Sequence, residues 1–313
     1  MNKDATLLID SNYIAHQARF ALKNFQYEDI PTGVIFGFLN RVLFLGNKFK
    51  TNDIVFYWDS KKSLRKRIYP EYKAKRHKDL SDEDRRALNI AFEQFNILKN
   101  EILPMIGFVN NITQTGYESD DTIASTVINK LGDFVVITAD EDLFQLLDYC
   151  NIYNPQKDKL YTRETLVLEK FITPEKYWLV KAIAGCNSDN VKGIQGVGEK
   201  TVIKYLNNQL NPKSKAYQKI KNDEFILERN KELVKLPFEG TREPRIMSNS
   251  FNMEMFRDIC NTYGLDSFLS DSKLSSWDLF FNNDFSRFGN DSRNKITAKE
   301  KIKMRRKERG KRA

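Results

Sequence analysis

The sequence predicts an α/β fold in which a mostly parallel, twisted sheet is flanked by helices. Three observations carry this. Short apolar runs alternate with longer stretches of helical period through the first half of the chain, as strands joined by helical crossovers do. The runs are almost continuously apolar, as in Phe134-Val135-Val136-Ile137, the pattern of strands covered on both faces. With 41% hydrophobic and 30% charged residues over 313 positions, the composition is globular, with material for a core. The length suits two domains, or one with an extension.

Each element follows in order. Thr6–Asp10 reads as a first buried strand, followed by helical patterns over Asn12–Phe25 and Gly33–Phe49. Asp53–Asp59 is a second strand. A basic block comes next, and Ser81 then opens a long helix to about Leu103; Ser81 and Asp84 have capping-box spacing. Gly107–Thr113 reads as a third strand, Asp120–Leu131 as a helix and Phe134–Thr138 as a fourth strand. Beyond Ile172 the pattern is mostly helical: Pro174–Ala184, Lys200–Asn208, Lys219–Leu236 and Met253–Tyr263. Ser270–Asn294, rich in Asn, Ser and Asp, reads as a linker.

Composition excludes several classes. No apolar run approaches the roughly 20 residues of a membrane span, and Ala5–Ile9 is too short for a secretory signal. Cysteines Cys150, Cys186 and Cys260 are scattered and odd in number, which argues against a disulfide framework and for a reducing, cytoplasmic setting. With two histidines and no cysteine pair, a structural zinc site is not expected. Net charge is +9 and its placement matters more: Arg293–Ala313 holds 11 Lys/Arg against two Glu, and Lys61–Lys78 holds nine Lys/Arg against Glu71. A solvated tail explains the first alone. Two basic segments favour a polyanion, DNA or RNA, over a membrane.

The acids are more informative. Asp10 and Asp59 end the first two strands, Glu118, Asp120 and Asp121 follow the third, and Asp140 and Asp142 follow the fourth. In an open parallel sheet these ends share one edge, the ligand edge. Any one of them can be a helix cap or turn former. Together they would repel one another unless cations balance them. Mg²⁺, a hard cation that needs only a few carboxylates, suits best, and two such ions are equipped for phosphodiester hydrolysis.

A glycine turn, Gly193-Ile194-Gln195-Gly196-Val197-Gly198-Glu199-Lys200-Thr201, lies between helical patterns. Its glycines permit close approach of a phosphate, and the amides of the next helix are free to bind one. Lys192, Lys200 and Lys204 add charge. It is neither a Walker loop nor a dinucleotide loop, and a plain helix connection is the other reading.

In combination, LLIDSN at 7–12, FYWD at 56–59, RKRIYPEYKAKR at 65–76, GYESDD at 116–121, ITADEDLFQLL at 137–147 and GCNSDNVKGIQGVGEKT at 185–201 resemble the 5′-nucleases. That family takes in flap endonucleases, the 5′-nuclease domain of bacterial DNA polymerase I and phage 5′→3′ exonucleases, the last closest in length. The resemblance spans about Thr6–Leu206. It implies a PIN-like nuclease core over 1–185 with a helical arch at about 61–103. A helical region over 186–292 would contain a helix–three-turn–helix at 186–208, and a basic tail would occupy 293–313. It implies Asp10, Asp59, Glu118 and Asp120 around one Mg²⁺ and Asp140, Asp142 and Asp189 around a second, with Mn²⁺ as substitute. Asp121 would orient water at the metals, Lys73 would face the scissile phosphate, and Arg65 and Arg76 would touch phosphates from the arch. Tyr72 would stack on a base or pack within the arch. Lys192, Gly193, Gly196, Gly198, Lys200 and Lys204 would grip duplex DNA, with K⁺ among the turn's carbonyls.

The implied activity is metal-dependent 5′→3′ exonuclease and flap endonuclease action on branched or 5′-ended DNA, and on RNA primers in RNA–DNA hybrids. The implied partner is a single-strand binding or other replication protein. The implied state is a monomer in the cytoplasm, of the host if the chain is viral. One departure stands out: the family usually has Asp where this chain has Cys186. Either the other acids suffice or the second site is weakened. In the extreme, the chain is a catalytically silent binder of branched DNA. A PIN-type ribonuclease is disfavoured by the long arch and the glycine turn.

Overall fold

The computed structural model describes residues 5–23, 25–76 and 78–285; the basic tail at 293–313 lies outside them. One sheet contains β1 (Thr6–Asp10), β2 (Ile54–Tyr57), β3 (Asn111–Ile112), β4 (Phe134–Ile137), β5 (Asn151–Asn154) and β6 (Lys159–Tyr161), in the order β3-β2-β1-β4-β5-β6. All neighbouring pairs are parallel except β5–β6, which is antiparallel. The chain steps outward from β1 to β3 and then returns to place β4 beside β1. That reversal leaves a crevice at their carboxyl ends, the usual ligand position in such sheets.

Strand residues alternate between two cores, as the pleat requires. Leu7, Ile9, Ile54 and Phe56 enter one; Leu8, Val55 and Tyr57 enter the other. The first core is covered by α1 (Ser11–Ala21), α2 (Gly33–Phe49) and α3 (Asp82–Ile97). The second is covered by α4 (Ser119–Asn129), α5 (Pro174–Ala184) and α6 (Glu199–Leu206). Ser81 caps α3 by accepting from the Asp84 amide at 3.1 Å. No helix among the described residues is long and apolar enough to cross a membrane.

Several expectations change. The third strand is only two residues long, and the first helix stops at Ala21. The sequence carries no clear strand signal for β5 and β6, because NIYN and KLY are short and half polar. The supposed linker contains α8 (Asp271–Phe281). Its polar composition hides an apolar stripe, Leu274, Trp277, Phe280 and Phe281, at helical spacing. Trp277 and Phe280 are fully buried, and Trp277 packs against Phe256 of α7 (Met253–Thr262) in the first core. Burial of a ring such as Phe280 contributes roughly 1.5–3 kcal/mol. A Cβ on Gly46 would lie 2.2 Å from the Phe280 ring, so glycine in α2 is what lets α8 seat. Residues 253–281 thus share a core with β1 and β2.

Candidate active site

The carboxyl ends of β1, β2 and β4 and the start of α4 enclose a cleft of about 240 Å³. Asp10, Asp59, Glu118, Asp120 and Asp140 line it, together with Lys73 and Arg76. Local structure fixes Asp10, Asp59 and Asp140. Asp10 caps α1 by accepting from the Tyr13 amide at 3.2 Å and accepts from Thr138 Oγ1 at 3.0 Å. Asp59 accepts from the Ser119 amide at 2.9 Å. Asp140 accepts from the Asp142 amide at 2.8 Å.

Crowding shows in the proton affinities. Burial, reinforced by the charge of Asp59, raises the Asp10 carboxyl to about 7. Burial, and then Asp140 and Asp10, hold Asp120 well above the usual range. Asp140 is raised by desolvation in the cleft and by Asp142. Acids that cannot all ionise in one another's company are a donor set that a divalent cation would hold ionised. The donors are all oxygen, as a hard cation requires.

The basic segment that follows the short helix Arg65–Ile68 reaches into this cleft through Lys73 and Arg76. Lys73 Nζ donates to Glu118 Oε2 at 2.7 Å, and Tyr72 OH donates to the same oxygen at 2.9 Å. Lys73 has a left-handed φ of 54°, uncommon for lysine, and its amide donates to the Asp189 carbonyl at 2.8 Å. Arg76 meets Asp189 Oδ1 at 2.8 Å. Burial alone would raise Glu118; Lys73 and Arg65 outweigh it and leave Glu118 lowered. Tyr72 is 2% exposed. It packs with Ala182, Val191 and Leu233, and its ring is not open to a base.

Two expected roles are overturned. Arg65 is 3% exposed and binds both oxygens of Asp121, so it is not presented to a phosphate. Asp121 is fully buried beneath the cleft and also accepts from the Glu118 and Phe238 amides. An acid so saturated holds the framework and does not reach water in the cleft. The sequence pattern DD at a helix start could not separate the inward acid from the outward one.

Asp142 and Asp189 gather beside the cleft with Cys186, their donor atoms all within 4.8 Å of one another. Burial raises Asp189, against the lowering effects of Lys73 and Arg76. Lys181, which sequence reading missed, lies 3.2 Å from Asp142 and 3.1 Å from Glu199. A lysine in a last helical turn is ordinarily read as a dipole partner, so no local signal marked it. Thr138 and Gln145 were missed for a similar reason. Gln145 holds the Leu236 amide and the Val234 carbonyl, tying the turn after β4 to the chain at 234–236.

The glycine turn precedes α6 and begins four residues after Asp189. Lys192, Lys200 and Lys204 are exposed. Gly196 has a φ of +79° and Gly198 is the N-cap of α6. Gly193 packs on the end of α5, where a Cβ would come within 2.1 Å of Ala184. The Gln195 carbonyl, one of those expected to face K⁺, accepts from Lys219 Nζ at 2.8 Å.

A parallel sheet with acids gathered at its order reversal, met by the basic segment at 65–76, defines the class. The chain matches the family model described as the 5′-3′ exonuclease N-terminal resolvase-like domain over residues 5–172. It therefore belongs to the 5′→3′ exonuclease family. It is 33% identical over 220 residues to the 5′-3′ exonuclease of Bacillus subtilis, covering 66% of this chain and 71% of that protein. It is 28% identical over 262 residues to the 5′-3′ exonuclease of Buchnera aphidicola, covering 81% and 84%. The structure of the T5 5′-exonuclease with bound zinc superposes with a TM-score of 0.64 at 19% identity, covering 91% of this chain and 99% of that one. At that identity the likeness establishes the fold.

Proposed function

We propose that this chain is a divalent-metal-dependent, structure-specific 5′→3′ exonuclease and flap endonuclease acting on branched or 5′-ended DNA. The carrying observation is the cleft in which Asp10, Asp59, Glu118, Asp120 and Asp140 converge with Lys73. These acids would hold Mg²⁺ by donor chemistry, with Mn²⁺ as substitute, and Asp142 and Asp189 beside them would hold a second divalent cation. When bound, such ions activate water and neutralise charge on the reacting phosphate.

The chain's own residues do the rest. Asp10 and Asp59 keep their carboxylates aimed through backbone caps. Lys73 and Arg76 leave the acids to meet the phosphate, supplying positive charge where it develops. Lys192, Lys200, Lys204 and the amides at Gly196 and Gly198 hold the duplex by its backbone, so shape rather than sequence is read. The family relation supports RNA–DNA hybrids as further substrates and a replication protein as partner. K⁺ at the turn has weaker support, because Lys219 already serves one carbonyl.

The test is cleavage of a 5′-labelled flap and a nicked RNA–DNA hybrid, with Mg²⁺, with EDTA, and with Asp140→Asn. Short 5′ products that need Mg²⁺ and vanish in the variant are expected. Tight binding without cleavage in Mg²⁺ or Mn²⁺ would instead establish a silent branched-DNA binder, the reading that Cys186 favours.

A further inference from the structure

We infer that Asp142, Cys186 and Asp189 form a mixed sulfur–oxygen site that takes a borderline cation, Zn²⁺ or Co²⁺, in preference to Mg²⁺. The inference rests on the nuclease reading for the site's role, though not for the binding itself. The three donors come from separate segments: the 3-10 helix Glu141–Leu146 after β4, the short strand Gly185–Cys186, and the turn beyond it. One donor atom from each lies within 4.8 Å of the others. Ligands of a tetrahedral zinc ion are roughly 3.5 Å apart, so small side-chain rotations close the site.

The backbone holds the sulfur in place. Cys186 pairs with Val191 across a short antiparallel ladder. It is 7% exposed, and its Sγ lies 3.8 Å from Asp142 Oδ2 and 3.0 Å from Ser188 Oγ. The plain reading of a buried thiol is a small apolar filler, and Cys186 does touch a cluster with Tyr72, Ala182 and Val191. A filler has no need to aim its sulfur at a carboxylate.

Charge points the same way. Asp142 Oδ1 is matched by Lys181, and Asp189 Oδ1 by Arg76. Little negative charge is left for Mg²⁺, a hard ion that binds through charged oxygen. A thiolate supplies the missing charge, and it bonds strongly to Zn²⁺ or Co²⁺ and poorly to Mg²⁺. As the metal–sulfur bond forms, the S–H bond breaks and its proton leaves to buffer; nothing is oxidised or reduced. The all-oxygen cleft next door keeps the opposite preference, so the two sites differ in hardness.

The experiment titrates the metal-free full chain with Co²⁺ while thiolate-to-cobalt charge-transfer absorption is recorded, and measures Zn²⁺ and Mg²⁺ binding by calorimetry. Wild type should show the band. Cys186→Ser and Cys186→Asp, each checked for folding by circular dichroism, should lack it; Cys150 and Cys260 remain as internal controls. Zn²⁺ affinity should fall at least about tenfold in Cys186→Ser and in Asp142→Asn. Cys186→Asp should bind Mg²⁺ more tightly. No band in wild type at saturating Co²⁺, or a band and Zn²⁺ affinity retained in Cys186→Ser, overturns the inference. Flap cleavage on the same samples, in Mg²⁺ alone, in Mn²⁺, and in Mg²⁺ with Zn²⁺ or Co²⁺ added, separates the two readings. Cleavage without the band defeats this inference alone, whereas the band without cleavage under any of these conditions defeats the nuclease reading and leaves the metal site standing.

Discussion

Arg65 and Asp121 form a buried bidentate ion pair, with hydrogen bonds of 2.6 and 2.7 Å. It joins the first residue of the short helix Arg65–Ile68 to the helix that carries Asp120. Arg65 Nε also donates to the Leu233 carbonyl at 2.8 Å, and Asp121 accepts from the Phe238 amide at 2.9 Å. The pair therefore fastens three segments directly under the acid cleft.

Removing one partner strands the other's charge in the interior. Arg65→Ala and Asp121→Ala should each cost about 3–5 kcal/mol in urea unfolding. Arg65→Met with Asp121→Leu together should recover most of it. Because Arg65 does not face solvent, Arg65→Lys should leave the salt dependence of DNA binding unchanged. A loss below ~1 kcal/mol in both single variants, the range of a surface pair, would remove this role.

Lys73 occupies Glu118 while no substrate is bound, so two effects of Lys73→Ala should oppose each other. Turnover at saturating Mg²⁺ should fall roughly 10²–10³-fold, the usual loss for a donor aimed at developing charge. Mg²⁺ affinity, followed by calorimetry, should rise, because a competing cation has left Glu118. Weakened Mg²⁺ binding alongside the lost turnover would mean that Lys73 orders the acids instead of competing for them.

The raised acids set a pH window. Asp10 binds its proton more tightly folded, at about 7, than at its ordinary value of 3.8. Between those values the folded state holds more protons, so metal-free stability falls as pH rises. Asp120, Asp140 and Asp189 act in the same direction. Glu118 is lowered and opposes them, contributing stability above its ordinary 4.5 that is lost as pH falls. In EDTA, the melting temperature should therefore decline from about pH 4 to pH 7, and Asp10→Asn should flatten the decline. Mg²⁺ should stabilise the protein more at pH 8 than at pH 5. An identical Mg²⁺ effect at both pH values would show that these acids do not bind it.

Much of this architecture was legible because strong signals coincide. Gly33–Phe49 and Pro174–Ala184 carry both periodicity and clear ends, and the structure has helices over both. The acids at strand ends were legible because parallel topology alone sends them to one edge. α8 was not, since Trp277 and Phe280 sit among Ser, Asp and Asn and their burial depends on Gly46, far away in sequence. The division of labour between Asp120 and Asp121 was illegible for the same reason: Arg65, 56 residues away, decides it. Cys186 was visible as a departure, but its aim at Asp142 is a fact of three dimensions.

The glycine turn allows folding and binding to be separated. Gly193 is wedged against Ala184, whereas nothing lies within 4 Å of a Cβ on Gly198. Gly193→Ala should cost about 1–3 kcal/mol, as overpacking does. Gly198→Ala should cost ~1 kcal/mol or less, the loss of a modest N-cap. If duplex phosphates approach the amides that begin α6, Gly198→Ala should still weaken DNA binding, because the new methyl stands where the phosphate must come. Lys200, next to those amides, should then contribute one ion contact: Lys200→Ala should reduce the salt slope of binding by about 1. Binding of the wild type should itself drop steeply between roughly 50 and 200 mM salt. A Gly198→Ala protein that binds duplex as well as wild type would move the duplex contact away from this turn and onto the basic segment at 65–76, and a flat salt profile would count against backbone recognition at either place.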